Sequence, residues 1–562
     1  MDIRSLPLFK KILLAVFIGL VFLYSFNQVN NADTFYDVKT GQYIVENLKI
    51  PTQDIFSLPA YGAMWVPHEW LAQIIFYFIY AAGGFSGLII FSALLSALTY
   101  FILWNLSLRK GADFYLGTLL MFLLGYLTLE LWVPRPQIFA YFSFAVLIYL
   151  LESYRRAPKN KYLIFSVLTI WFWANTNASF ILGIVVIGFY FLSEIIGSRW
   201  SEWSVGRISF GAAKNLGFAA AASFFISFLT PSGYHGFLYS IYVQQVAGYL
   251  NVLEWRPITY FLYQFQAKFF IIILFLIDAF LAWWFWIRKE SRDLTLLGLA
   301  IGISLLPFIS IRHVGFWPIA LFIPATVSLS LILKNFINRF SDKILPASLL
   351  VVGLIFLSNR IIWIPKTLID KSIIPVEAAD FIKENAIKGP LFNLYNEGGY
   401  LIFRMWPENK VFIDGRSEVY KDRPIIEFFT VFGVHPGWES LVDEKYDINY
   451  FFMDSYSHAG VKKFTEPLTK ALLKKGFVLV YWDDLTILLV RDVHQNREVI
   501  NKYGLRHIHP FLNPASIPEK DAKQAAAEIQ SLLERFPQSS AIRNYAIDFI
   551  SAHSGINFVP VY

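Results

Sequence analysis

Between Asn31 and Gln73 five carboxylates, Asp33, Asp37, Glu46, Asp54 and Glu69, share a stretch with two lysines, Lys39 and Lys49, and one histidine, His68. The stretch follows one apolar run and closes on Trp65-Val66-Pro67-His68-Glu69-Trp70, where the next run begins. Ionised groups are costly where a chain meets a bilayer, so their concentration here marks residues 27–70 as a candidate active-site loop. Carboxylates so placed can accept protons or bind cations. Asp33 and Asp37 lie four residues apart and share one face if the segment is helical. With Glu69 or His68 they could hold a divalent ion, which makes Asp37 and Glu69 candidate metal ligands. Solvated structural acids are the favoured account of Asp37 and Asp54.

A second set of polar residues falls at the ends of apolar runs: Arg135 in Pro134-Arg135-Pro136-Gln137, Asn175 and Asn177, His235, Glu254 and Arg256 in Glu254-Trp255-Arg256-Pro257, and the pair Arg312-His313. Taken singly, each fits an interfacial anchor or a loop cap. Taken together, three arginines facing an acidic loop suggest a pocket with a cationic part for phosphate and an acidic part for catalysis. Trp65, Trp70, Trp132, Trp255 and Trp317 near the same boundary read as belt aromatics.

The elements that must position these groups are membrane spans. The 562-residue chain is 56% hydrophobic, 18% aromatic and only 16% charged, and its apolar runs reach the roughly 20 residues that cross a bilayer. We expect about eleven spans, near 9–26, 85–107, 113–132, 137–153, 162–176, 178–197, 215–230, 268–287, 294–310, 315–334 and 345–362. The segment 71–82 is too short to span and reads as an interfacial or re-entrant helix entering the second. Up to residue 362, alternate loops carry 18 lysines and arginines on one side and 7 on the other. The positive-inside rule then sets the N-terminus in the cytoplasm and everything after residue 362 outside. The net charge of +7 resides in those short clusters, which is topology and not a nucleic-acid surface. The absence of cysteine excludes disulfides, thiol catalysis and thiolate metal sites.

Past residue 362 the apolar runs shorten to strand length. Strands are expected at 391–394, 410–414, 448–454, 477–482 and 486–490, with helices near 375–387, 397–405, 423–432, 437–445 and 459–475. The alternation predicts an outward α/β domain over 363–495 with a mainly parallel sheet, its last two strands turning through Asp483-Asp484. Gly398-Gly399 lacks the spacing of a nucleotide-binding loop. Asp414-Gly415-Arg416 reads as a strand-terminating turn with a local ion pair. A helical tail over 496–562 contains one hairpin, loosely like a tetratricopeptide unit.

Ala32-Asp33 at the loop's start, Gly41, the turn Pro51 to Asp54 and His68-x-x-Leu71 entering an apolar helix together resemble the GT-C superfamily of membrane glycosyltransferases. The likeness is nearest to the protein O-mannosyltransferase and aminoarabinose-transferase branch and to uncharacterised bacterial members with loops of the type WVxHEWLAQ, RPQ and DGR. It implies a GT-C-like transmembrane domain over 1–362, a catalytic Asp33, and a donor sugar carried on a polyprenyl phosphate. It also places His68 near donor or acceptor, although Glu69-Trp70 stands where O-mannosyltransferases carry Pro-Pro. Arg135, Arg256, Arg312 and His313 would join His68 at the donor phosphate, since a guanidinium matches phosphate geometry. The expected partners are a polyprenyl-phosphate-linked sugar, a glycan, lipid or protein acceptor, and membrane lipids. The lack of cysteine, and of Asn-x-Ser/Thr sites in the outward domain after residue 362, favours a bacterial inner membrane. A flippase for lipid-linked glycans and a non-catalytic assembly protein are the rival readings.

Overall fold

Apolar runs in a bilayer must satisfy their own backbone groups, and helices do so within one segment. The computed structural model describes residues 6–199, 208–249, 253–287, 293–340, 344–362, 365, 367–455 and 465–553. Six of the charges expected on the cytoplasmic side, Arg4, Arg207, Arg288, Lys289, Arg292 and Lys343, lie outside those residues, as does 459–464 at the start of one expected helix. Chain contacts divide the protein into two units. The first takes Met1–Val29, Thr40–Ile50 and Val66–Ile369, and the second Asn30–Lys39, Pro51–Trp65 and Asp370–Tyr562. The acidic loop is thus shared between them.

The first unit is helical: α1 (Leu8–Tyr24), the second half of α2 (Asp33–Asn47), α3 (Trp70–Arg109), α4 (Phe114–Leu127), α5 (Gln137–Arg156), α6 (Asn160–Thr176), α7 (Phe180–Arg199), α8 (Phe210–Ile226), α9 (Tyr234–Tyr249), α10 (Phe265–Ile287), α11 (Leu294–Ser304), α12 (Phe316–Ile332), α13 (Lys334–Phe340) and α14 (Ile344–Ile362). Eleven spans are expected from the sequence. By length and composition, four described helices can cross a membrane alone, or five when α12 and α13, bent by 71°, count as one. The segment 71–82 and the second span form the single helix α3, interrupted at Gly84, whose φ of 59° and ψ of −153° glycine alone adopts easily. Helix α5 packs against α3, α6 and α12. At its last turn the buried Arg155 donates to Glu152 (3.0 Å), Glu194 (2.7 Å) and Asp293 (2.9 Å), and Lys110 reaches Glu152 at 2.5 Å. This ionic cluster ties together the ends of α3, α5, α7 and α11.

In the second unit β1 (Leu391–Asn393), β2 (Tyr450–Asp454), β3 (Phe477–Trp482) and β4 (Thr486–Arg491) form one sheet in the order β1-β2-β4-β3. Only β1 and β2 are parallel; β4 runs antiparallel to both β2 and β3. The expectation of a mainly parallel sheet is therefore corrected. The turn at Asp483-Asp484 sends β4 back between β2 and β3, and Asp483 accepts the N–H of Leu485 (2.8 Å) and Thr486 (2.7 Å) to close that turn.

The expected strand 410–414 is corrected as well. Val411 exchanges backbone bonds only with the 56–58 loop, and the Asn393 side chain takes Phe412 N–H (2.7 Å) and donates to the Ile413 carbonyl (2.7 Å). A buried asparagine has occupied the positions a neighbouring strand would fill. Around the sheet lie α15 (Val376–Glu384), α16 (Gly398–Met405) and α17 (Arg423–Phe432), and the tail forms helices Ala522–Arg535 and Ser540–Ala552. The last of these begins on Asp484, whose carboxylate accepts the Ser539 hydroxyl and the Ala541 N–H, both at 2.8 Å.

Candidate active site

In the second unit the site is built on the first turn of α2. Asn31 accepts the Asp33 N–H at 2.8 Å and caps the helix, so Asp33 sits where free N–H groups favour a negative charge. One turn on, Asp37 is fully buried, and Phe35 packs edge-on against Tyr400 with ring centroids 4.8 Å apart. Two backbones approach this turn closely. A Cβ on Gly415 would lie 2.4 Å from Oδ1 of Asp33, and one on Gly399 would lie 2.3 Å from the Ala32 carbonyl oxygen.

The Asp414-Gly415-Arg416 turn holds the expected ion pair and more. Arg416 is 2% exposed and donates to Asp414 from Nε (2.8 Å) and Nη2 (2.6 Å), and to Asp54 from Nη1 (2.7 Å). Its guanidinium also lies 4.6 Å from the Trp65 ring centroid. Burial pulls its pKa down, but Asp414 and Asp54 overcome this and hold it well above the ordinary arginine value. Asp54 also accepts the N–H of Phe56 (3.2 Å) and Ser57 (3.1 Å). Asp37 and Asp54 are thus not solvated acids: Asp37 lies inside the unit, and Asp54 is half of a buried salt bridge. Tyr395 donates to the Gly415 carbonyl at 2.9 Å and meets the Ser417 hydroxyl at 2.9 Å. Burial first, then the Asp33 charge, raises its phenol well above its ordinary pKa.

In the first unit the entry to α3, the α6–α7 break and two short 3-10 turns bring the second set of groups together. Glu69 accepts from Asn177 (3.0 Å) and lies 3.6 Å from His68 Nε2, while Trp70 donates to Asn175 (2.8 Å). Burial raises the Glu69 pKa, yet His68, Arg312 and Arg135 outweigh it and the net shift is downward. His68 stacks on Tyr239 with centroids 4.2 Å apart. Arg135 grips Glu254 through both ends of its fork, at 2.9 and 3.3 Å. Burial would raise Glu254, but Arg135 and then Arg312 bring it down to about 2.

Arg312 donates from Nε to Gln137 (3.0 Å) and lies over the Trp255 ring at 4.9 Å. Among the described residues no carboxylate pairs with it. Arg256 lies over Tyr260 at 5.3 Å, and its carbonyl accepts Ile311 N–H (2.9 Å), which ties the two turns together. Burial and then Arg312 lower His313 to about 4, so at neutral pH it carries no charge.

The structure therefore gathers His68, Glu69, Arg135 and Arg312 into one electrostatic cluster, joined by Glu254 and Asn177 from the same set of polar residues and by Gln137 beside Arg135. Trp65, Trp132 and Trp317 are at most 3% exposed; these three of the five expected belt tryptophans are internal side chains, while Trp70 and Trp255 are half-buried. Gly399, Gly415 and Tyr395 were missed. The DGR triplet is the visible signal of Gly415 and the Gly398-Gly399 pair that of Gly399.

No protein-family model matches this chain, and no curated protein matches it significantly. Solved structures do. The archaeal oligosaccharyltransferase AglB from Archaeoglobus fulgidus, in complex with an inhibitory peptide and a dolichol-phosphate, superposes with a TM-score of 0.59 at 12% identity, over 99% of this chain and 87% of that one. The Archaeoglobus fulgidus oligosaccharyltransferase in complex with Zn and sulfate does so at 0.58 and 12%, over 98% and 87%, and its form tethered to an acceptor peptide containing the NVT sequon at 0.58 and 11%, over the same shares. The chain shares their fold. These neighbours are oligosaccharyltransferases, whereas the first loop resembles O-mannosyltransferases. One neighbour holds Zn. Here, among the described residues, no three His, Asp or Glu side chains converge to hold a metal ion. Of the candidate ligands, Asp37 belongs to the second unit and Glu69, bound to Asn177, to the first. No step below runs through a metal.

Proposed function

We propose that the protein is an inverting glycosyltransferase that moves a sugar from a polyprenyl-phosphate donor to a glycan, lipid or protein acceptor on the periplasmic face of a bacterial inner membrane. The observation that carries this reading is Asp33, a carboxylate on a capped helix N-terminus within a fold shared with oligosaccharyltransferases. A neighbour bound to a dolichol-phosphate supports a lipid-phosphate donor. In the reaction Asp33 takes the proton of the acceptor's O–H or N–H as that atom attacks the anomeric carbon. The bond from this carbon to the bridging phosphate oxygen breaks, and its electron pair leaves with the polyprenyl phosphate. A single displacement inverts the anomeric centre. Arg312 is assigned to the departing phosphate because its fork is the one in the cationic cluster that no described carboxylate occupies, and a preorganised cation stabilises charge as it develops.

Asp33→Asn keeps the size of the side chain and removes its basicity. Turnover, measured as polyprenyl phosphate released from a panel of polyprenyl-phosphate-linked hexoses with a bacterial cell-envelope extract supplied as acceptor, should fall by roughly 10²–10⁴ while protein level and donor binding hold. Normal glycosyl transfer by this variant would remove the enzyme reading and leave a transporter of lipid-linked glycans in its place.

A further inference from the structure

The turn 414–417 and the start of α16 press on α2 at one place, and the contacts there differ in kind. A Cβ on Gly398 would meet the Ile413 carbonyl oxygen at 2.1 Å, and one on Gly399 would meet that of Ala32 at 2.3 Å. Both neighbours are backbone. At Gly415 the neighbour at 2.4 Å is Oδ1 of the Asp33 side chain, with its Cγ at 3.5 Å and Tyr36 Cε1 at 3.6 Å. None of the three glycines occupies the left-handed region, so each is required for space and not for backbone conformation.

The turn has little freedom to retreat. Tyr395 holds the Gly415 carbonyl, Ser417 N–H donates to that same carbonyl at 3.0 Å, and Arg416 anchors the next residue to Asp414 and Asp54. On its other side the chain entering α2 meets the start of α16, where the Ala32 carbonyl rests on Gly399. An added methyl at 415 must therefore turn the Asp33 carboxylate.

We propose that Gly415 is a positioning residue: its missing side chain, with Tyr395 holding the turn in register, sets the rotamer in which Asp33 meets the acceptor proton. The inference rests on the catalytic reading of Asp33. General-base catalysis needs heavy atoms about 2.6–3.2 Å apart, and a misplacement of about 1 Å can cost roughly 10²-fold. Gly399 and Gly398 belong to the same cradle but press on backbone, so their replacement disturbs the fold and not the carboxylate alone.

The test compares Gly415→Ala, Asp33→Asn and the double variant in the full-length protein, using the hexose panel above. Gly415→Ala should lower kcat by about 10- to 10²-fold, leave the KM for the lipid-linked sugar within about twofold, and keep a cooperative unfolding transition. Added to Asp33→Asn it should cost nothing further, because the group it displaces is already inert. A general structural defect would instead raise KM, or lower kcat again in the double variant relative to Asp33→Asn alone. Wild-type kcat in Gly415→Ala, with Asp33→Asn inactive, overturns the cradle and leaves the catalytic reading standing. An active Asp33→Asn, or a wild type that turns over no member of the panel, overturns the catalytic reading and the cradle with it. Should Gly415→Ala not fold, Tyr395→Phe decides: loss of its tether should lower kcat by about 2- to 10-fold at constant KM, and unchanged kcat overturns the proposal.

Discussion

Arg135 and Arg312 illustrate how two residues of one type, both facing carboxylates, come to differ. Arg135 is spent on Glu254 by a two-pronged bond, and the pair is a local neutralisation that shapes the turn at 253–255. Arg312 uses Nε on a neutral amide and its flat face on Trp255, while its charge acts at longer range on Glu69 and Glu254. Arg312→Ala should therefore weaken binding of a polyprenyl phosphate by about 10- to 10²-fold, the 1.5–3 kcal/mol of a charge-assisted hydrogen bond. Arg312→Lys should recover part of this, because a lysine keeps the charge without the fork. Equilibrium binding of undecaprenyl phosphate to the detergent-solubilised variants checks it, and equal affinities would place the phosphate elsewhere.

At the scale of elements, the segment 410–414 shows what periodicity in a sequence can and cannot carry. Its apolar run and its termination at Asp414 are plain, and the structure buries it as expected of a strand. Its hydrogen-bond partners are the side chain of Asn393 and the backbone of residues 56–58. Both come from distant chain, and nothing in the run itself distinguishes a side-chain partner from a strand. The same limit explains Asp54, whose turn is visible in Pro51-x-x-Asp54 but whose partner Arg416 lies 362 residues away. By contrast the α6–α7 break at 175–177 and the hairpin at Asp483 are legible, because helix termination and tight turns are decided by neighbours within a few residues, whereas Asp33 stands out only through the resemblance of the first loop to a known family.

The joint between the 51–65 segment and the 414–420 turn is then a strong point of the second unit. Arg416→Met would leave Asp414 and Asp54 buried without a cation, a change worth about 3–5 kcal/mol. A lowered thermal midpoint of the full-length protein should show it. An unchanged midpoint would mean that water replaces the guanidinium at this joint.

For the whole molecule, helix length alone does not decide which side the second unit occupies. Helix α4 has 14 residues, which at 1.5 Å each cover about 21 Å, less than the ~30 Å hydrocarbon core. It must combine with flanking chain, such as the turn at Leu129–Leu131, if it is to cross. The count of crossings is thus sensitive to each short helix, and one miscount would invert the orientation. The charge distribution is not so fragile. Moving any single loop still leaves most of the 18 lysines and arginines on one side of the chain and few on the other, and orientation follows that bias over short loops. The expected outcome is an N-terminus in the cytoplasm and a second unit in the periplasm. A phosphatase that folds only in the periplasm, fused after residue 500, should be active, and a cytoplasmic reporter at the same position silent. The opposite pattern would put the second unit, and Asp33 with it, on the cytoplasmic face, where the proposed periplasmic transfer could not occur.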